Sequence, residues 1–150
     1  MITKYIQGDI CDTELKYIAH GVNCQNTMGS GVAKALYTKF PQVKDHYHGY
    51  CNNIGDSLLL LGDVQEIIVD DKTVYNCFTQ LEFGYDGKKY VNYNAIALCF
   101  LYLSTHVEMD GPLAIPKIGC GLAGGNWEFM EQLINDSVGD RLEIWVYELE

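Results

Sequence analysis

Cations are scarce in this sequence. Lys and Arg number 10 against 20 Asp and Glu, a formal charge of −10 with a pI near 4.7. A groove for DNA or RNA phosphates needs clustered cations that release counterions, so nucleic acid is not an expected partner. The acids are scattered rather than blocked, which argues against an acidic interaction tail. No apolar run approaches the roughly 18–20 residues that cross a bilayer. The opening Met1-Ile2-Thr3-Lys4 also lacks a charged region followed by an apolar stretch. The expectation is a cytoplasmic protein without a membrane partner, acting as a monomer.

Metal and nucleotide signatures are missing too. The six cysteines stand at 11, 24, 51, 77, 99 and 120, with no CxxC pair. His20, His46, His48 and His106 make no HxxxH spacing, and no paired carboxylates nominate a cation. Cys77 in VYNCF and Cys99 in ALCFLY sit in apolar stretches, where a free thiol behaves as a small hydrophobe. Reduced structural thiols, no metal and no cofactor are therefore expected. There is no GxxxxGK[ST]. The dinucleotide pattern GxGxxG fails as well, because Gly29-Ser30-Gly31 runs into Val32-Ala33-Lys34.

What remains is a 150-residue chain, 48% hydrophobic, with the length of one domain and enough core to fold without staples. Residues 1–150 are read as that domain. Short β-like runs alternate with helical ones, as in an α/β domain with a largely parallel sheet. Strands are expected at 2–7, 15–22, 64–69, 74–79, 113–118 and 142–148. The run 15–22 is almost wholly apolar, as in a strand covered on both faces. Helices are expected at 31–40, at 42–52 after Pro41, at 94–107 and from the N-cap Asn126 through Val138, with Gly139 beyond its end. The richness of 94–107 in Ala and Leu suggests a buried helix. The polar stretch 81–92 carries the turn signal Asp86-Gly87.

Two glycine-rich turns each follow a strand and precede a helix: Asn23-Cys24-Gln25-Asn26-Thr27-Met28-Gly29-Ser30-Gly31 and Gly119-Cys120-Gly121-Leu122-Ala123-Gly124-Gly125. In open α/β sheets such loops lie at the carboxyl ends of strands, where ligands bind. Glycine lets backbone N–H groups approach an anion, and the helix start adds a favourable dipole. Two such loops facing each other can hold a diphosphate without a basic side chain. The plainer alternative is that the glycines only make tight turns.

Four strings in register resemble the macrodomain family: Gly8-Asp9-Ile10, His20-Gly21-Val22-Asn23-Cys24, Met28-Gly29-Ser30-Gly31-Val32-Ala33 and Ile115-Pro116-Lys117-Ile118-Gly119-Cys120-Gly121-Leu122. They span the chain essentially end to end. Within the family the sequence looks like the subgroup that processes ADP-ribose 1″-phosphate, known in yeast and tailed phages. The resemblance implies a three-layer α/β/α fold with a central mixed, mostly parallel sheet. It also implies ADP-ribose or its 1″-phosphate bound in a cleft across the crest of the sheet. The corresponding activity is a phosphatase releasing ADP-ribose and phosphate. A non-catalytic ADP-ribose reader or sequestering module, or a weak ADP-ribosyl-ester hydrolase, are the alternatives.

The same resemblance assigns residues. Asp9 would accept a hydrogen bond from the adenine amino group, with Ile10 beside it, although Asp9 also fits a turn or cap after the first strand. Asn23 would hold the distal ribose. Gly29, Ser30, Gly31 and Val32 would form one diphosphate loop, and Gly119, Gly121, Leu122, Ala123, Gly124 and Gly125 the other. Tyr147 would stack on adenine, or serve as an ordinary strand aromatic. Thr79 and Gln80 would border the distal ribose. His20 is the candidate catalytic residue, as proton donor or as nucleophile; a core histidine on a buried strand is the other reading. Tyr85, Lys88, Lys89 and Tyr90 could fold over the ligand, against the plainer expectation of a solvated turn. Family members that remove ADP-ribose from glutamate use a lysine and an aspartate where this chain has Gln80 and Ala123. Without that amine no Schiff-base route exists. The Asn-Asn-Gly signature of another hydrolase group is also incomplete at Asn23-Cys24-Gln25-Asn26.

Overall fold

The computed structural model describes residues 1–84, 86–121 and 123–149. Five strands lie parallel at the centre: β1 (Ile2–Gln7), β2 (Tyr17–Asn23), β4 (Lys72–Gln80), β5 (Leu113–Ile115) and β6 (Ile144–Glu148). The sixth, β3 (Val64–Val69), pairs antiparallel with β4 at one edge, and the order is β1-β6-β5-β2-β4-β3. Helices α1 (Gly31–Lys39), α2 (Pro41–Ile54) and α3 (Ser57–Leu60) cover one face. The other face carries α4 (Tyr93–Thr105) and α5 (Trp127–Val138). The three-layer α/β/α arrangement implied by the sequence is the one observed.

Alternation along the central strands builds both layers. On β2, Tyr17 and Ala19 point into the α4/α5 core, whereas Ile18 and Val22 point into the α1/α2 core. On β4, Tyr75 and Cys77 oppose Val74 and Phe78 in the same way. Each fully buried large side chain, such as Phe100 or Leu36, contributes roughly 1.5–3 kcal/mol by leaving water.

Several boundaries differ from expectation, each for a local reason. β2 begins at Tyr17 rather than at 15, because Leu15 N–H is taken by the Thr13 hydroxyl and its carbonyl by Lys72 Nζ. β4 starts at Lys72 because a two-residue turn at Asp70 and Asp71, with Asp70 at φ 55°, joins it to β3. β5 stops at Ile115, since Pro116 has no N–H and its carbonyl turns back to Ile118 N–H. β6 starts at Ile144, after a turn in which Arg141 N–H bonds the Val138 carbonyl. α2 runs on to Ile54 and stops at Gly55, φ 77°. α1 ends at Lys39, and α4 begins at Tyr93 under the Asn92 cap and ends at Thr105. The short α3 and a 3₁₀ turn at Ile10–Asp12 were not expected. Nor is α4 buried all round: Leu98 is 57% exposed, and Leu101 and Tyr102 face solvent with it.

Candidate functional site

The carboxyl ends of β1, β6, β5, β2 and β4 open into one cleft of about 760 Å³. Its two ends differ in chemistry. Beside β1 and β6 the lining is Asp9, Ile10, Tyr147 and Leu149; beside β2 and β4 it is Asn23, Thr79 and Gln80. Between them lie the two glycine loops.

The first loop is built for exposure of its backbone. Ser30 is the N-cap of α1, yet its side chain makes no capping bond. Lys34 N–H bonds the Ser30 carbonyl, so the amides of Gly31, Val32 and Ala33 have no helical acceptor. All three residues line the cleft with Gly29 and Ser30. By contrast, the caps of α4 and α5 are occupied, Asn92 accepting from Ala95 N–H and Asn126 from Phe129 N–H. An uncapped start with its dipole aimed into a cavity favours an anion by up to about 2 kcal/mol when partly buried.

The second loop is closed on itself. Gly124 N–H bonds Gly121 O at 3.1 Å and Gly125 N–H bonds Gly119 O at 2.6 Å. Ala123 O accepts from both Tyr90 N–H and Val91 N–H. Gly119, Gly121 and Ala123 line the cleft, whereas Gly124 and Gly125 are not among its lining residues. Gly124 has φ +74°, and a Cβ there would stand 2.8 Å from Lys88 O; one at Gly125 would stand 2.6 Å from Gly119 O. These two glycines admit neighbouring backbone, not a ligand. Leu122 lies outside the described residues.

His20 lies away from the cleft lining. Its ring is 1% exposed and does not line the cleft; it points from β2 toward β4, where Nε2 is hydrogen-bonded to Asn76 Oδ1. Asn76 in turn donates to Gln65 on β3. Register explains this placement. His20 shares the parity of Ile18 and Val22 and is set back from the strand end, opposite Asn76. Desolvation pushes the imidazole down to about 4, only partly offset by the Asn76 bond, and Nδ1 has no partner among the described residues. Burial thus favours the neutral imidazole.

The remaining assigned residues reach the site. One Asp9 carboxylate oxygen accepts Cys11 N–H at 2.9 Å as a cap, and the residue also lines the cleft beside Ile10. Tyr147 lines it too, its hydroxyl accepting from Thr13 at 2.6 Å. Thr79 is fully buried, with a hydroxyl that finds no partner among the described residues, and lies against Gly21. Gln80 and Ala123 occupy cleft positions without an amine or a carboxylate.

Sequence reasoning missed Gly8, Gly21, Phe83, Lys117, Glu148 and Leu149 as lining. Gly21 carried a signal, a residue without a side chain inside an apolar strand. A Cβ there would stand 2.6 Å from the Thr79 hydroxyl. Lys117, the one lysine lining the cleft among the described residues, is paired with Glu148 at 2.6 Å. Lys88 and Lys89 do not enter it: Lys88 pairs with Asp86 at 3.7 Å and Lys89 lies over the Tyr93 ring. Tyr90 bonds Asp86, and Tyr85 is outside the described residues. Among the described residues no cluster could hold a metal ion, and no helix is long and apolar enough to cross a membrane.

This crest cleft over a β1-β6-β5-β2-β4-β3 sheet, with a helix start open to it, places the chain by comparison. A macrodomain protein from Streptomyces coelicolor superposes with a TM-score of 0.81 at 28% identity, covering 99% of each chain. The chain belongs to the macrodomain family. No family sequence model matches it. A phage T4 protein, "Uncharacterized 17.5 kDa protein in tk-vs intergenic region", is 34% identical over 100% of this chain and 98% of its own. A Candida albicans protein named ADP-ribose 1″-phosphate phosphatase is 27% identical, covering 96% of this chain and 97% of its own. Within the family the chain groups with that phosphatase subgroup.

Proposed function

We propose that the cleft binds ADP-ribose and that the protein hydrolyses ADP-ribose 1″-phosphate to ADP-ribose and phosphate. The observation that carries this reading is the uncapped start of α1, whose Gly31, Val32 and Ala33 amides lack a helical acceptor and whose residues line a cavity with one apolar, aromatic end. Adenine suits the end at Ile10 and Tyr147, where the free oxygen of Asp9 accepts its amino group. The diphosphate lies over the α1 amides. The distal ribose and its phosphate then fall at Asn23, Thr79 and Gln80. Macrodomains with ADP-ribose bound and the phosphatases of yeasts support the ligand and the reaction.

In that reaction water attacks phosphorus, the bond from phosphorus to the 1″ oxygen breaks, and that oxygen leaves with a proton. The leaving group is a hemiacetal hydroxyl, which departs more readily than an ordinary alcohol. This chain contributes positioning and neutral hydrogen-bond donors at the distal end. His20, buried and bonded to Asn76, is given no step in this reading.

That same burial favours a second reading, a binder that holds ADP-ribose-like ligands unchanged. Incubating the purified protein with ADP-ribose 1″-phosphate separates the two. Release of phosphate with matching ADP-ribose is expected. Tight binding with the substrate intact after long incubation would establish the binder instead.

A further inference from the structure

One residue outside the cleft lining controls a residue inside it. Tyr47 on α2 is fully buried, its ring stacked on Phe78 of β4 with centroids 5.8 Å apart and planes at 17°. Its hydroxyl reaches the end of β2. The phenolic oxygen is 2.9 Å from both the main-chain and the side-chain oxygen of Asn23, which share its one proton, and it accepts Thr27 N–H at 3.1 Å.

The Asn23 amide is otherwise nearly used up. Its oxygen also accepts Gln25 N–H at 2.9 Å, and its nitrogen donates to Thr27 O at 2.8 Å. A carboxamide has two N–H donors, so one remains. With the oxygen pinned from two sides and the nitrogen from one, the amide plane is fixed and so is the direction of that last N–H. Asn23 pairs in register with Gln80 at the β2/β4 end of the cleft.

We propose that Tyr47 is a positioning residue, whose hydroxyl orients Asn23 so that its single uncommitted N–H serves the distal sugar of the ligand. Burial raises the phenol well above its ordinary range, so the hydroxyl keeps its proton throughout the working pH range. The loop tip has separate anchors, since Asn26 is bonded to His48 Nδ1 and donates to Asn52 at 2.9 Å. Loss of the Tyr47 hydroxyl therefore releases Asn23 without releasing the whole loop. The inference rests on the reading that the cleft holds ADP-ribose.

The test compares ADP-ribose with ADP, which lacks the distal sugar. Tyr47→Phe keeps the ring stack and removes the hydroxyl. It should weaken ADP-ribose by about five- to tenfold while ADP stays within about twofold, the size expected for one misaligned hydrogen bond. In an Asn23→Ala background the same change should add almost nothing. Equal loss for both ligands, or loss for neither, overturns the positioning role. Should Tyr47→Phe not fold, Asn23→Ala alone must weaken ADP-ribose and spare ADP, and equal effects again overturn it. Wild type that binds ADP but not ADP-ribose would overturn the ligand assignment instead.

Discussion

Two glycine loops meet over the crest of this sheet, and they do opposite things with their backbones. The loop before α1 leaves a helix start uncapped, with three amides that lack a helical acceptor on residues that line the cleft. The loop before α5 uses its last two glycines internally, in tight bonds to Gly119 and Gly121 and in contact with the backbone of Lys88. Both are glycine-rich strand-to-helix turns. In one the missing side chain opens space for a ligand; in the other it opens space for the protein itself. A glycine run therefore becomes evidence for a ligand only once the partners of its N–H groups are known.

Substitution should separate the loops cleanly. The largest effect on stability belongs to Gly124→Val. A Cβ at positive φ and 2.8 Å from Lys88 O should remove about 3 kcal/mol, lowering Tm by about 6–12 °C, as a thermal melt would read. His20 gives an effect of similar size that appears only with pH. Its folded value of about 4 lies below the ordinary 6.5, so its contribution is complete above 6.5 and is lost as pH falls toward 4. That is about 3 kcal/mol across the window. His20→Gln should flatten the stability profile there relative to wild type, and should leave kcat for phosphate release largely intact. A drop in kcat with unchanged stability would put His20 back into the chemistry.

Gly29→Val sharpens the comparison from the other side. Nothing lies within 4 Å of a Cβ at Gly29 and its φ is not positive, so the fold should tolerate the side chain. Gly29 lines the cleft, and ADP-ribose affinity should fall about tenfold or more, or roughly 1.4 kcal/mol, by calorimetry. Salt should do least. With Lys117 already paired to Glu148 and the other lysines turned away, affinity should change by less than about threefold between roughly 50 and 500 mM salt.

Much of the crest was legible from the chain. Asp9, Asn23 and Tyr147 each follow or end a β-run, and strand ends in a parallel sheet share one edge, so their convergence follows from alternation alone. His20 illustrates what was not legible. It stands three positions before Asn23, and the fate of its ring depends on the partner across the strand pair, Asn76, which is far away in sequence. The packing of Gly124 and Gly125 was not legible for a related reason. The segment 88–91 that packs on them is an irregular stretch with no periodicity, and its path is set by tertiary contact. The Tyr47 hydroxyl is likewise a non-local partner, arriving at the end of β2 from the helix that follows Pro41.

The backbone amides themselves give the most direct test. In a titration of ¹⁵N-labelled protein with ADP-ribose, the N–H signals of Gly31, Val32 and Ala33 should move furthest, in the direction of stronger hydrogen bonding. Those of Gly124 and Gly125 should barely respond. Large shifts at Gly124 and Gly125 with the α1 amides unmoved would contradict the account and hand the diphosphate to the other loop.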